Sequence, residues 1–168
     1  MNSAIKTLQA NHLDYFHSEL KKSNKLEIIS PFVTEDVTHF ILKYLIGKNI
    51  RLLTRYNLRD FYSGVSNLDA IKLFYNSGTE IRGVYRLHSK LYIFDNRTAM
   101  ITSTNFTKGG MLSNMEFGLL VSNSKVVKDC KKYFDELWDK ADNKLTSETI
   151  KRWEKKIAKA TQPTRSFT

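Results

Sequence analysis

The chain has 168 residues, of which 41% are hydrophobic and 26% charged, with 7 glycines, 2 prolines and one cysteine. This length is typical of one domain with its own core, and the composition excludes collagen-like, low-complexity and disulfide-scaffold proteins. The 27 lysines and arginines exceed the 17 acidic residues by ten, which favours a polyanionic partner.

The first predicted element is a helix over residues 1–22, because apolar residues recur at helical spacing. Residues 26–32 form a short apolar run that Pro31 ends, which predicts a buried strand. Thr34 is then predicted to cap a helix that Gly47 terminates.

Residues 49–55 are predicted to form a second strand, and Asn67 to cap a helix that ends at Gly78. Residues 80–85 form a third predicted strand. An alternation of strands and helices is typical of a parallel α/β sheet.

Beyond this point the pattern changes to a hairpin. Residues 87–94 and 99–105 are predicted strands joined by a tight turn at residues 95–98. A buried strand at 117–122, a long helix capped by Ser124 and a last helix starting at Thr146 or Ser147 follow, and the tail from Gln162 is predicted to be loose.

These elements predict an α/β layered sandwich, with a mixed, largely parallel sheet flanked by helices on both sides. We expect one domain over residues 1–168, with its core at about 20–142 and a basic helix at about 146–160. Cys130 is the only cysteine, which excludes an intramolecular disulfide and a thiolate zinc site. No signal peptide or membrane span is visible, so we expect a cytoplasmic protein.

The predicted hairpin brings reactive side chains together. We expect a register in which His88 lies opposite Asn105 and Lys90 opposite Ser103, with Asp95 in the turn or facing away. The resulting patch has several donors and no carboxylate, which suits an anion such as a phosphodiester. Imidazole is also a competent nucleophile near neutral pH. The alternative interpretation is a polar sheet face without chemistry.

The hairpin residues form one spaced pattern, His88-x-Lys90-x4-Asp95-x6-Thr102-Ser103-x-Asn105. This pattern resembles the HKD motif of the phospholipase D superfamily, H-x-K-x4-D-x6-G-S-x-N, with Thr102 in place of glycine. Glu116, eleven residues after Asn105, resembles the trailing glutamate of that family. The resemblance covers roughly residues 20–142 and is closest to single-motif bacterial nucleases and the catalytic domains of phospholipase-D-like restriction endonucleases.

The resemblance implies a role for each residue. His88 would attack phosphorus to form a phosphohistidine, while Lys90 and Asn105, helped by Ser103, would hold the phosphate oxygens. Glu116 would accept a hydrogen bond from the His88 ring and fix its tautomer.

The resemblance also implies an assembly. A complete family site needs two HKD motifs, and this chain has one. A homodimer through the active-site face is therefore expected, in which His88 of the second subunit protonates the leaving oxygen and activates water. Asp95 would brace the motif, and the family requires no metal and no cofactor.

The positive charge favours nucleic acid, DNA first, as the substrate of a metal-independent endonuclease. Arg55, Arg86 and Lys108 are the candidate DNA-binding residues; Arg51 belongs to the same basic set, and residues 151–165 carry six basic residues and one acidic residue. The last helix has a solvated charged face as its alternative interpretation. Phospholipid hydrolysis and a catalytically inactive nucleic-acid-binding module are the alternative functions.

The histidines outside the motif receive no function from the sequence. His12 and His17 lie in the N-terminal segment and His39 in a predicted helix. We interpret all three as structural or surface residues.

Overall fold

The computed structural model describes residues 4–142 and 144–160. Its strands are β1 Ala4–Leu8, β2 Lys25–Ile29, β3 Asn49–Thr54, β4 Glu80–Gly83, β5 Leu91–Phe94, β6 Thr98–Thr102 and β7 Gly118–Ser122. Its α-helices are α1 His12–Lys22, α2 Glu35–Leu45, α3 Leu58–Tyr62, α4 Leu68–Asn76, α5 Lys125–Lys140 and α6 Ser147–Ala160. A π-helical turn spans Gly109–Ser113. None of the described helices is long and apolar enough to cross a membrane.

The described strands form one sheet in the order β1-β7-β6-β5-β2-β3-β4. The predicted mixed sheet is confirmed, although parallel pairing is confined to β2–β3 and β3–β4. The other four pairings are antiparallel, so the expectation of a largely parallel sheet is wrong. After β4 the chain crosses back to β2 and pairs with it as β5, which runs antiparallel to β2. A tight turn then joins β5 to β6, and such a turn requires antiparallel strands.

Helices cover both faces of the sheet, as predicted. Side chains alternate along each strand, so Ile28 and Leu52 contribute to one buried cluster and Ile29 and Leu53 to the other. The first cluster includes residues of α1, α2, α4 and α6, and the second includes residues of α5. The site described below therefore lies on a sheet held rigidly between two apolar layers.

The N-terminal prediction is wrong in its first half. Ala4–Leu8 forms an edge strand antiparallel to β7, and the helix begins only at His12. Asn11 has a φ of 56°, a left-handed conformation that breaks the segment in two. Ile5 is one of the apolar residues whose spacing predicts the helix, yet it is 63% exposed on the edge strand. Residues 1–3 lie outside the described part.

Ser124 caps α5 as predicted, by accepting a hydrogen bond from the N–H of Val127, whereas two other predicted cap residues bind different elements. Asn67 precedes α4, yet its Oδ1 accepts a hydrogen bond from the backbone N–H of Glu35 in α2, at 3.1 Å. Thr34 precedes α2, and its Oγ1 accepts one from the N–H of Lys108, at 3.0 Å. Asn67 and Thr34 therefore tie together the loops at one end of the sheet.

The β5–β6 hairpin differs from the prediction by one residue of register. Phe94 pairs with Thr98, so residues 95–97 form the turn, where Asp95 and Asn96 have φ values of 50° and 53°. The Asp95 carboxylate leaves the ladder and accepts the backbone N–H groups of Asn24 and Lys25, each at 2.9 Å. This anchor to the start of β2 gives the physical reason for the shift.

A buried ion pair links β2, β3 and α5. Glu27 is fully buried, and its carboxylate accepts a hydrogen bond from the guanidinium of Arg51. Arg51 also contacts Asp135 of α5 at 3.1 Å and lies over the Phe134 ring, 4.8 Å from its centroid. Arg51 is therefore a structural residue, and its placement in the basic set for nucleic acid is wrong.

The last helix is attached to the rest of the fold through Trp153. This residue is buried, with its ring 5.0 Å from that of Tyr56 and 5.7 Å from that of Phe61. The basic residues of α6, Lys151, Arg152, Lys155, Lys156 and Lys159, are exposed. The predicted start of this helix agrees with the structure, and the tail from Gln162 lies outside the described residues.

Candidate active site

The site lies where the carboxyl ends of β2, β3 and β4 meet the start of β5. His88 and Lys90 belong to the irregular segment before β5, not to a strand as predicted. His88 is exposed and Lys90 half-buried. Lys90 Nζ donates to the carbonyl oxygen of His88 at 2.7 Å and lies 3.4 Å from both nitrogens of its ring. The ammonium group and the imidazole are therefore close enough to contact the same bound group.

The observed register changes the neighbours of Lys90. Its carbonyl oxygen accepts a hydrogen bond from Thr102 N–H at 3.4 Å, so Lys90 lies opposite Thr102 rather than Ser103. Ser103 and Asn105 follow the end of β6. The expected facing pairs of His88 with Asn105 and Lys90 with Ser103 are consequently wrong.

Glu116 and Ser103 form a hydrogen-bonded pair. Ser103 Oγ donates to one carboxylate oxygen of Glu116, and Asn114 Nδ2 donates to the other at 3.3 Å. The N–H of Phe117 donates to Ser103 Oγ at 3.1 Å, which fixes the serine. Among the described residues Glu116 accepts no hydrogen bond from His88, so the contact implied by the resemblance is not formed.

His12 is the residue of this region that the sequence did not reveal. It begins α1, it is 2% exposed, and its Nε2 has no hydrogen-bond partner within the described chain. Burial lowers the pKa of His12, and the negative charge of Glu116 acts against that shift. No sequence signal placed His12 here, because the N-terminal segment was expected to be one continuous helix.

Asn105 is positioned by the turn that follows it. Its side chain is half-buried, and its Oδ1 is buried without a hydrogen-bond partner among the described residues. A Cβ on Gly110 would lie 2.5 Å from the carbonyl oxygen of Asn105, so only glycine allows the π-helical turn to approach this closely. Asn105 is therefore held by backbone contacts and keeps a free polar atom.

Asp95 lies away from these groups, at the hairpin turn described above, where its carboxylate oxygen is engaged by two backbone N–H groups. Lys108 is exposed at the start of the π-helical turn. Among the described residues no group of three His, Cys, Asp or Glu side chains is placed to hold a metal ion.

Arg55 and Arg86 line the same cavity as His88, which has a volume of about 390 Å³. The Arg55 guanidinium forms an ion pair with Asp60, with distances of 3.0 and 3.1 Å to its two oxygens. Arg86 is exposed in a left-handed conformation with a φ of 57°. Two of the three predicted DNA-binding residues thus flank His88, while Lys108 does not line this cavity.

Thr102 stands where the family pattern has glycine, and the residue paired with it on the neighbouring strand β7 is a glycine. Thr102 pairs with Gly118, and a Cβ on Gly118 would lie 2.7 Å from the Thr102 Cβ. Thr102 Oγ1 donates to the carbonyl oxygen of Phe117 at 3.1 Å, so the threonine side chain occupies space that the glycine leaves open.

We expect Gly118→Ala to destabilise the protein by about 2 kcal/mol, because overpacking of a tight contact costs roughly that much. Thr102→Gly in the same chain is expected to recover part of the loss. Urea unfolding of the wild type, both single variants and the double variant measures this coupling. Strictly additive changes in the free energy of unfolding would contradict the proposed contact.

Lys90 is expected to control the alkaline limb of activity. Burial lowers the pKa of Lys90, and the Glu116 carboxylate raises it in part. If the ammonium form holds the phosphate, kcat/KM falls as pH rises through a pKa below the ordinary value of 10.5. Glu116→Gln removes the opposing charge and is expected to move this limb to lower pH. A pH profile with the same limb in both proteins would contradict the assignment.

Comparisons with known proteins bear on the family and the fold. The family model described as "Cardiolipin synthase, PLD-like domain" matches residues 17–138. Among solved structures, Nuc, a phospholipase D family member from Salmonella typhimurium, is similar with a TM-score of 0.71 and 18% identity, over 87% of this chain and 100% of Nuc.

Two further structures share the fold. Phosphatidylserine synthase from Haemophilus influenzae Rd KW20 has a TM-score of 0.62 and 12% identity, over 94% of this chain and 45% of the synthase. The archaeal chromatin protein TrmBL2, described with a mode of DNA binding, has a TM-score of 0.58 and 17% identity, over 82% of this chain and 53% of TrmBL2. No curated protein sequence matches the chain significantly. These low identities establish the fold alone.

Proposed function

Because the chain belongs to the PLD-like domain family, whose model matches residues 17–138, we propose that it is a metal-independent phosphodiesterase that hydrolyses DNA. The observation that carries this proposal is the placement of His88 beside Lys90, with Nζ 3.4 Å from the ring. His88 also lines a cavity together with Arg55 and Arg86. An imidazole nucleophile beside fixed positive charge is suited to attack on a phosphodiester.

In the first step a ring nitrogen of His88 attacks phosphorus, the P–N bond forms and the bond to the leaving oxygen breaks. A general acid other than the attacking His88 donates a proton to that oxygen. Water then attacks the phosphohistidine, the P–N bond breaks, and the proton of the water passes to the group that acted as acid. Lys90 and Asn105 hold the non-bridging oxygens, Lys90 through its ammonium group and Asn105 through the N–H donors of its Nδ2.

Ser103 and Glu116 act as a pair in this proposal. The serine is fully engaged with the carboxylate and the Phe117 backbone, so it orients Glu116. The negative charge of the carboxylate then partly balances the positive charge of Lys90. Asp95 maintains the hairpin through its two backbone hydrogen bonds and does not touch substrate.

We propose that this general acid is His88 of another copy of the chain, related by a two-fold axis. An apolar surface flanks Glu116, where Met115 is fully exposed and Leu112 and Phe117 are 60% and 56% exposed. Exposed apolar residues of this kind, next to a site that lacks its second histidine, suit a homodimer through the active-site face.

Light scattering is expected to give a mass of about twice 19.5 kDa for the wild type. Met115→Asp is expected to produce monomers and to lose phosphodiesterase activity at the same time, because a charge would be buried at the interface. Ile46→Asp is a matched control, since Ile46 is 76% exposed at the end of α2. A monomeric wild type with full activity would show that the composite site is wrong.

The charge supports nucleic acid over lipid. The net charge is +10, and five exposed basic residues lie on α6. Contacts between basic side chains and backbone phosphates bind a nucleic acid with little dependence on its sequence. Phospholipid is the second candidate, because the matching family model is named for a cardiolipin synthase and one structural neighbour is a phosphatidylserine synthase.

One cleavage panel separates the candidates. Single-stranded DNA, duplex DNA, RNA and phospholipid vesicles are incubated with the protein in excess EDTA. Cleavage of DNA without added metal is the expected result. A strict requirement for Mg²⁺, or turnover of phospholipid alone, would overturn the proposal, and salt-sensitive DNA binding without any turnover would indicate an inactive binding module.

A further inference from the structure

The cavity beside His88 is larger than a phosphodiester group requires. Its volume is about 390 Å³, within the range of pockets that hold small organic molecules. Its walls are residues 55–57 after β3, residues 84–88 after β4, and Asp142 after α5. The cavity therefore extends from the proposed nucleophile into space that a neighbouring part of the substrate can occupy.

One wall of this cavity is rigid. The Tyr56 ring packs against the backbone of Gly83, where a Cβ would lie 2.2 Å from a ring carbon. Its hydroxyl donates to the carbonyl oxygen of Ile81 at 3.1 Å, and Trp153 packs against the ring with a centroid distance of 5.0 Å. A wall fixed on three sides keeps the cavity open without a ligand.

Another part of the cavity lining is a tight turn that contains Tyr85. The N–H of Leu87 donates to the carbonyl oxygen of Val84 at 3.4 Å, and Leu87 is buried. Between them Arg86 adopts a φ of 57°, which is uncommon for a residue other than glycine, asparagine or aspartate. As a result Tyr85 is held outward with 84% of its surface exposed, close to a buried anchor.

Tyr85 and Arg86 form a stacking platform. The Arg86 guanidinium lies over the Tyr85 ring, 5.3 Å from its centroid, and most of the Tyr85 surface remains open to a ligand. Aromatic rings of this kind, next to arginine, bind nucleobases with little sequence preference. The same cavity is lined by the polar residues Arg55, Asn57 and Asp142 as well as by apolar groups.

We propose that this cavity binds an unpaired nucleobase next to the phosphodiester held at His88, with the base stacked on Tyr85. This inference rests on the proposed function and narrows its substrate to single-stranded nucleic acid, because a base reaches such a platform only when it is free of its duplex partner. Arg86 contributes charge for the adjacent phosphate as well as the second layer of the stack.

The test measures binding separately from cleavage. In a His88→Ala background, which leaves the oligonucleotide intact, fluorescence anisotropy gives Kd for a short single-stranded DNA and for the same strand with abasic nucleotides. Tyr85→Ala is expected to weaken binding of the intact strand about tenfold and to leave the abasic strand unchanged. Tyr85→Phe is the matched control and is expected to bind like the parent, because the ring is kept.

Two further measurements complete the design. Arg86→Gly keeps the left-handed turn, since glycine adopts positive φ freely, and is expected to weaken binding of the intact strand more than of the abasic strand. Thermal unfolding of each variant is expected to match the parent, because Tyr85 and Arg86 are exposed. Duplex DNA of the same sequence is expected to bind Tyr85→Ala and its parent equally.

The outcomes distinguish this inference from the proposed function. Equal affinity of Tyr85→Ala and its parent for the intact strand, or equal weakening for intact and abasic strands, would overturn the base site. With His88 restored, a protein that shows the base-dependent loss of affinity yet cleaves no strand in EDTA would overturn the phosphodiesterase proposal instead.

Discussion

His88→Ala is expected to lower DNA hydrolysis in EDTA by at least about 10⁴-fold, because loss of a nucleophile removes the covalent route altogether. The imidazole is exposed, so its removal leaves no cavity in the core and the fold is expected to remain intact. Initial rates on a labelled oligonucleotide measure the loss, and circular dichroism checks the fold.

His39→Ala is the matched control for this experiment. His39 is also an exposed histidine, and its Nε2 lies 3.1 Å from a carboxylate oxygen of Glu35 on α2. This variant is expected to keep the wild-type rate. Retention of more than a small residual rate by His88→Ala would remove the phosphohistidine from the mechanism, and the family resemblance would then describe the fold alone.

Arg51→Met is expected to lower the free energy of unfolding by about 3 kcal/mol, since breaking a buried ion pair leaves an uncompensated charge. The charge left behind is that of Glu27, which is fully buried. Lys25 Nζ at 3.0 Å and Lys131 Nζ at 3.7 Å remain near the carboxylate, which limits the loss. Urea denaturation monitored by tryptophan fluorescence measures it.

Lys125→Met provides the comparison for this stability measurement. The Lys125–Asp129 pair has a distance of 2.7 Å, and both side chains are more than half exposed. Its removal is expected to change stability by less than about 0.5 kcal/mol. Equal effects of the two methionine variants would mean that the buried pair contributes no more than a surface pair.

Local patterns in the sequence predict much of the fold. Apolar runs and turn residues place β2 to β4, α2, α4 and α5 close to their observed positions. The edge strand β1 is missed because its backbone pairs with β7, far away in the chain, while its side chains are mostly exposed. Hydrophobic periodicity detects buried faces and therefore gives no signal for such a strand.

The motif spacing selects the residues of the candidate site, but it does not predict their contacts. His88 and Lys90 are adjacent through a short backbone link, which sequence order makes visible. The β5–β6 register differs by one residue from the prediction, and Asp95 bonds to Lys25 of β2, 70 positions earlier, a contact that local spacing does not reveal. Likewise the pairing of Arg51 with α5 depends on tertiary packing, and a basic residue after a strand looks the same in sequence whether it is buried or free.

The contact between Trp153 and Tyr56 limits how the basic helix can be studied. Removing α6 would take away its positive charges and would also unseat the wall of the cavity beside His88, so a truncated protein would confuse charge with shape. Reversing the charge of exposed lysines such as Lys155 and Lys159, with Trp153 left in place, separates the two contributions. The helix α6 therefore has two roles: its exposed lysines and arginine carry positive charge, and Trp153 supports the cavity wall. The charge can be changed while Trp153 is kept, but removing the helix changes both.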